Sequence, residues 1–299
     1  MMETPVICGK KSDITVAIQG VAGAFHDIAA RRYFGDHIRP VASETFADLF
    51  NHVSAGRADF GVVAIENSVA GSLLPNYTLL RDAGQHIHGE IYLRISQNLL
   101  GLPGQKIDDL KEVHSHPMAI AQSRVFFEKY PRIKFVEAAD TASSAARIAR
   151  EKLRDIGGIG SELAAEIYGL DILAAGIETN PRNYTRFLIV SPDACKEDWE
   201  EEPDKASLCF TLPHKVGALS HILATLAFYG IDLTKIQSLP IIGKEWEYLF
   251  YIDVVFTDYE RYRQSITAIT PLCDTLEILG EYHQGDNSYE QVHHQHPEA

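Results

Sequence analysis

From residue 14 the apolar positions fall into short runs that alternate with helical stripes, the pattern of strands and helices laid down in turn. Residues 14–18 form a run short enough for a buried strand, and Ala29, Ala30 and Tyr33 then recur at helical spacing. Val41 begins a second strand–helix unit, with Ser43 or Glu44 opening a helix through Val53, and residues 58–65 read as a central strand buried on both faces. The run 86–100 is extended throughout, carries Ile91, Leu93 and Ile95, and is long enough to cross between lobes. Beyond it come a strand at 112–114, a helix from Pro117 to Phe127 with proline at its first position, and a strand at 133–136. Asp140 opens a helix with Ala142, Ala145, Ala146 and Ala149 on one face. A strand at 156–160 leads to a helix capped by Ser161, with Leu163 and Ile167 inward. A short strand at 172–174 and an irregular stretch at 180–182 precede a final apolar run at 187–190. This order predicts an α/β domain over 14–191: one lobe from 14–95 and 183–191, the other from 96–182, with a cleft between them.

The pattern then changes. Residues 192–205 hold a cluster of Asp and Glu with Pro192 and Pro203 and no apolar period, which predicts a solvated linker. Strand 207–212, a stripe of Leu219, Ile222, Leu223 and Leu226, an extended run at 231–236, and Tyr248, Phe250, Ile252, Val254 and Phe256 in alternation follow it. A helix from Asp258 and a strand at 276–279 complete a βαββαβ order, a ferredoxin-like α+β domain over 206–282. Residues 283–299 read as a polar, disordered tail, His293, His294 and His296 included.

Composition narrows the partners. The 299 residues carry a formal net charge of -14, which disfavours nucleic acid and anionic membranes as partners while leaving room for a pocket that takes a small anion. Cys8, Cys195, Cys209 and Cys273 have no C-x-x-C or metal-like spacing, so they read as reduced thiols and no metal site is expected. No leader-like apolar segment opens the chain and no run reaches membrane-span length, so a cytoplasmic protein is expected.

Candidate chemistry gathers at the ends of strands. Gln19 to His26 is a glycine-bearing loop before a helix, where backbone N–H groups meet an anion, but it is not G-x-G-x-x-G and implies no dinucleotide. Glu66, Asn67, Ser68, Gly71 and Ser72 cluster where open α/β sheets bind ligands; Ser72 reads equally as a cap for the helix through Leu79 and Leu80. His116 and Gln122 are placed to face a site, although a histidine beside a proline also reads as a cap. In Asn183-Tyr184-Thr185-Arg186-Phe187 a hydroxyl donor and a guanidinium stand side by side at the mouth of a buried strand, an arrangement suited to an anion losing oxygen.

In order along the chain, GVAGAFH, IENSVAGS, SHPMAIAQ, DTASSAA, IGSELAAEIYGL, NYTRFLIV and GALSHILATLAFYGIDLTKIQSLP closely resemble the prephenate dehydratases, over 14 to about 282. The resemblance implies a catalytic domain folded like the two-lobed type II periplasmic binding proteins. It also implies a C-terminal ACT domain that binds phenylalanine at a subunit interface, in a homodimer or homotetramer. The implied reaction expels the ring hydroxyl and carbon dioxide from prephenate to give phenylpyruvate, with no cofactor. Thr185 is then the donor to the departing hydroxyl. Arg186, Asn67, Ser68, Ser72, Thr141 and the backbone at Gly71 and Ala24 hold the two carboxylates, and Glu66, His116, Gln122, Asn183 and Phe187 complete the substrate site.

Two departures from that pattern stand out. Ala24 and His26 occupy positions where the family carries hydroxyl residues, so the loop binds through its backbone or through His26. The effector segment reads Gln237-Ser238-Leu239-Pro240 in place of Glu-Ser-Arg-Pro, while Gly217, Ala218 and Leu219 are retained. An arogenate dehydratase and a non-catalytic amino-acid sensor are the rival readings.

Overall fold

The computed structural model describes residues 14–192, 201–241, 243 and 247–285. Cys8, Cys195, the acidic core of the 192–205 stretch and the histidines of the tail lie outside these residues. The first lobe comprises β1 (Thr15–Gln19), α1 (Phe25–Phe34), β2 (Arg39–Ser43), α2 (Phe46–Ser54), β3 (Phe60–Asn67), the two-residue β4 (Gly71–Ser72), α3 (Leu74–Ala83) and β5 (His86–Arg94). The second comprises β6 (Asn98–Gly101), β7 (Glu112–Ser115), α4 (Pro117–Phe127), β8 (Lys134–Glu137), α5 (Thr141–Glu151), β9 (Ile156–Gly160), α6 (Glu162–Tyr168) and β10 (Asp171–Ala174). The chain then returns as β11 (Tyr184–Ser191), which inserts antiparallel between β3 and β5. Sheet order is β2-β1-β3-β11-β5 in the first lobe, with β4 pairing β3, and β10-β6-β9-β7-β8 in the second. These are the two α/β lobes expected, and the extended run 86–100 is broken at residues 95–97, where the chain changes lobes.

Several local expectations are corrected. The helix through Val53 is opened by Thr45, not Ser43 or Glu44, because Thr45 and Asp48 form a reciprocal capping box. Ser72 pairs in β4 and caps nothing, and Leu73 precedes α3 without a side-chain cap. Ile167 is exposed, whereas Ala164 and Ala165 are buried. The first-lobe loop presses so close on α6 that a Cβ on Gly23, at φ +86°, would lie 2.8 Å from the Ala164 Cα, leaving no room for a side chain at Gly23. Ser161 caps α6 as expected, its Oγ accepting from the Ala164 N–H at 3.0 Å.

The C-terminal domain comprises β12 (Lys205–Thr211), α7 (Ala218–Phe228), β13 (Asp232–Pro240), β14 (Tyr248–Val255), α8 (Tyr259–Ile269) and β15 (Thr275–Tyr282). Its sheet runs β13-β14-β12-β15, the order that βαββαβ connectivity gives a ferredoxin-like domain. Lys205, assigned on sequence to the linker, begins β12 and is buried. One face of this sheet packs on α7 and α8 around Phe210, Ile252 and Tyr262. The other seals against the first lobe, where Tyr251, Leu279 and Tyr282 join Leu49, Leu80 and Leu188 in one apolar cluster. Each large apolar side chain fully buried there contributes about 1.5–3 kcal/mol, so the two domains share a core.

Candidate active site

Side chains alternate along a strand, and β11 is buried on both sides, so its two faces serve two different surfaces. Leu188 and Val190 join the cluster shared with the C-terminal domain, while Phe187 and Ile189 pack with α1. Thr185 and Phe187 line a cleft of ≈ 320 Å³ between the lobes. Ala24, Asn67, His116, Gln122 and Thr141, all sequence candidates, line it as well.

Hydrogen bonds define what each polar group offers. Asn67 Oδ1 accepts from the backbone N–H groups of Val69 at 2.9 Å and Ala70 at 2.8 Å, which fixes the orientation of the amide. Asn67 Nδ2 therefore donates, to Thr185 Oγ1 at 2.9 Å and to Asn183 Oδ1 at 2.7 Å. Asn183 Nδ2 in turn donates across the cleft to Gln122 Oε1 at 2.9 Å. Accepting at its oxygen, Thr185 keeps its own O–H free to donate, and Gln122, accepting at Oε1, keeps its Nε2 protons. His116 caps α4 by accepting the Met118 N–H at Nδ1, so its neutral ring carries the proton on Nε2. Burial lowers its pKa against the opposing pull of Asp140 and Glu137.

The lining holds no lysine or arginine. Positive potential comes instead from helix ends, since Phe25 of α1, Ala119 of α4 and Thr141 of α5, each in the first turn of its helix, all line the cleft. Among the described residues the cleft is thus an apolar wall with amide, hydroxyl and helix-end groups, the unpaired Gln97 Oε1 and one carboxylate, that of Asp140.

Some assigned residues lie elsewhere. Arg186 points away from the cleft, and its guanidinium is buried against Glu90, Asp253 and Tyr282, because a residue adjacent to Thr185 on a strand faces the opposite side. Glu66 pairs with Lys235 at 2.8 Å, and Ser72 accepts from the same lysine at 3.0 Å. Ser68 Oγ bonds the Arg182 carbonyl and the Tyr184 N–H, a structural tie, and Gly71, at φ +82°, lies outside the lining. Asn183 is buried behind the cleft as a relay. His26 lines the cleft, but its Nε2 is sealed without a hydrogen-bond partner and its ring lies against Phe46 and Phe187. Burial lowers its pKa to about 3, so the ring is neutral packing and the loop offers backbone. Gln19, Phe46, Gln97 and Asp140 also line the cleft and went unnamed as site residues. Gln19 and Asp140 had a signal, the one opening the glycine-bearing loop and the other a helix, and Gln97 had its place where the chain crosses between lobes.

In the C-terminal domain, Gly217 takes φ +83° as the N-cap of α7, and Ala218 and Leu219 open the helix. Gln237, Ser238, Leu239 and Pro240 end the edge strand β13, where Leu239 packs against the cluster shared with the first lobe.

Two α/β lobes facing each other across a cleft, with the Thr185 hydroxyl at the end of the returning strand in its lining, match the arrangement expected of a decarboxylating dehydratase, a lyase. The chain belongs to the prephenate dehydratase family, whose model matches residues 16–195. It is 36% identical over 273 residues to the bifunctional chorismate mutase/prephenate dehydratase of Aquifex aeolicus, covering 90% of this chain and 73% of that one. It is also 36% identical over 287 residues to arogenate dehydratase 2 of Petunia hybrida, covering 91% and 72%. Among solved structures, the quorum-quenching acylase GqqA superposes with a TM-score of 0.82 at 30% identity, over 91% of this chain and 98% of that one. The prephenate dehydratase of Arthrobacter aurescens, in complex with L-Phe, superposes with a TM-score of 0.80 at 26% identity, over 94% and 98%.

Proposed function

We infer that the chain converts prephenate to phenylpyruvate, carbon dioxide and water. The observation that carries this reading is the Asn67–Thr185 hydrogen bond, which occupies the Thr185 oxygen as an acceptor and leaves its proton free to donate at the cleft it lines. Amide and helix-end donors hold the two carboxylates, so the ring hydroxyl is presented to Thr185. As the ring carboxylate leaves as carbon dioxide, its bonding electrons enter the ring and expel the hydroxyl from the opposite carbon. Thr185 stabilises the developing hydroxide by hydrogen bonding, and the one proton the reaction consumes comes from solvent. Thr185→Ala is expected to lower kcat about a hundredfold or more with the fold intact. Phenylpyruvate formation followed by absorbance tests this, and an unchanged kcat removes Thr185 from the mechanism.

A second reading rests on Asp140. A carboxylate in the lining suits the ammonium that arogenate carries in place of the keto oxygen. Rates on the two substrates side by side decide between them. Acyl transfer, the chemistry of GqqA, would require a base at the Thr185 hydroxyl. Among the described residues that oxygen's hydrogen-bond partner is the Asn67 amide, so we do not extend that chemistry to this chain.

The C-terminal domain is, on this reading, an ACT domain that binds phenylalanine between two copies of the chain. Support comes from the open backbone at Gly217, from the edge position of β13 and from the exposure of Val216 and Phe228. A homodimer or homotetramer in the cytoplasm completes the proposal; among the described residues no helix is long and apolar enough to cross a membrane. Calorimetric titration with phenylalanine and light scattering test the effector and the assembly, and no heat on titration would leave Gln237 and Leu239 as the mark of a lost effector site.

A further inference from the structure

Two cross-strand pairs stand one residue apart on β11 and β3. Thr185 lies opposite Asn67, and Arg186 lies opposite Glu66. The first pair belongs to the cleft, where Asn67 Nδ2 donates to Thr185 Oγ1. The second pair belongs to the C-terminal domain. Arg186 is held there by Asp253 and by Tyr282 Oη at 3.0 Å, while Glu66 is held by Lys235 at 2.8 Å. On the β3 side the ladder changes register between Arg186 and Phe187, so the Thr185–Asn67 and Arg186–Glu66 pairs are offset there from the rest of that ladder, while β11 keeps an unbroken register with β5 from Tyr184 to Ile189.

We propose that Arg186 and Glu66 are positioning residues through which the C-terminal domain sets the Thr185–Asn67 hydrogen bond. The buried charges balance, since Glu90 takes both Arg186 and Lys205, and Asp253 takes Arg186 and Ser207. A balanced, fully bonded cluster has one good geometry and resists drift. A three-armed guanidinium fork fixes the backbone beneath it more tightly than an ammonium would. Since Thr185 and Asn67 follow within one peptide of those anchors, their separation depends on where the C-terminal domain sits. The domain therefore contributes to catalysis without touching substrate.

The test rests on the dehydratase reading and uses the intact protein without effector. Lys235→Met releases Glu66, and Tyr282→Phe removes one arm from Arg186. The double variant is expected to lose about tenfold in kcat on prephenate, a misplacement effect, with KM changed less than twofold. Arg186→Lys, which keeps the charge and loses the fork, is expected to lose at least as much. A lowered melting temperature with kcat unchanged overturns the proposal, because the contacts would then only hold the domains together. A raised KM with kcat intact overturns it as well, since that marks a substrate contact. The Asn67 side-chain amide resonances in asparagine-labelled protein give a second readout that needs no turnover. They are expected to move in Lys235→Met. Unmoved resonances overturn the proposal even if the wild type proves inactive on prephenate, an outcome that would by itself strike only the function.

Discussion

At Asn67 one atom decides which way a proton points. Its Oδ1 is committed to two backbone N–H groups, so Nδ2 meets Thr185. Asn67→Asp keeps the shape but places an acceptor opposite the Thr185 hydroxyl, which then turns its proton away from substrate. Activity at neutral pH is expected to fall about a hundredfold, the scale of one lost donor. Below the pKa of the new carboxyl its protonated form donates again, so the residual kcat of the variant is expected to rise as pH falls, relative to wild type. A pH profile of the ratio checks this, and a flat ratio would reduce Asn67 to a spacer. At this scale the sequence told residue types well and directions poorly. The cleft-lining places of Asn67 and Thr141 were legible because strand ends and helix starts aim at clefts. The place of Arg186 was not, since a guanidinium beside a strand-end hydroxyl reads as an anion clamp until the domain packed beneath β11 is known.

Elements, more than side chains, close the lobes. The β1–α1 loop fits against α6: Ser161 Oγ donates to the Gly23 carbonyl at 2.5 Å and Tyr168 Oη to the Ala22 carbonyl at 2.8 Å. Gly23 itself has a left-handed φ and no room for a Cβ. Gly23→Ala is expected to push α6 outward, loosening the cleft beside Ala24 and Thr141. KM for prephenate should rise severalfold, with a stability loss of about 1–3 kcal/mol for the forced contact, read from steady-state kinetics and urea unfolding. A KM equal to wild type would separate this contact from substrate binding. Elements themselves were read closely: Pro117 fixed the start of α4, and the 156–160 run is β9. Ile167 failed because helical periodicity cannot see that a neighbouring loop reserves the inward face of α6 for alanine.

In the whole molecule, the side-chain seam with the C-terminal domain includes one contact too close for a side chain. A Cβ at Gly280 would lie 2.2 Å from the Ile87 carbonyl oxygen, where β15 crosses β5. Gly280→Ala is expected to part the two domains, giving two calorimetric transitions where the wild type gives one, and a single unshifted transition would show the seam to be compliant. The βαββαβ order was visible in the apolar pattern, but this seam was not, since glycine leaves no periodic trace.

The dipeptide Thr185-Arg186 gives that seam a historical consequence. Because neighbouring residues answer to different surfaces, the two lobes cannot be freely recombined with a foreign C-terminal domain. A graft offering plain apolar strands in place of Lys205, Asp253 and Tyr282 would strand Arg186 and Glu90 in a dry joint. A lineage that exchanges its module must import the whole cradle with it, or surrender Arg186 and Glu90 together.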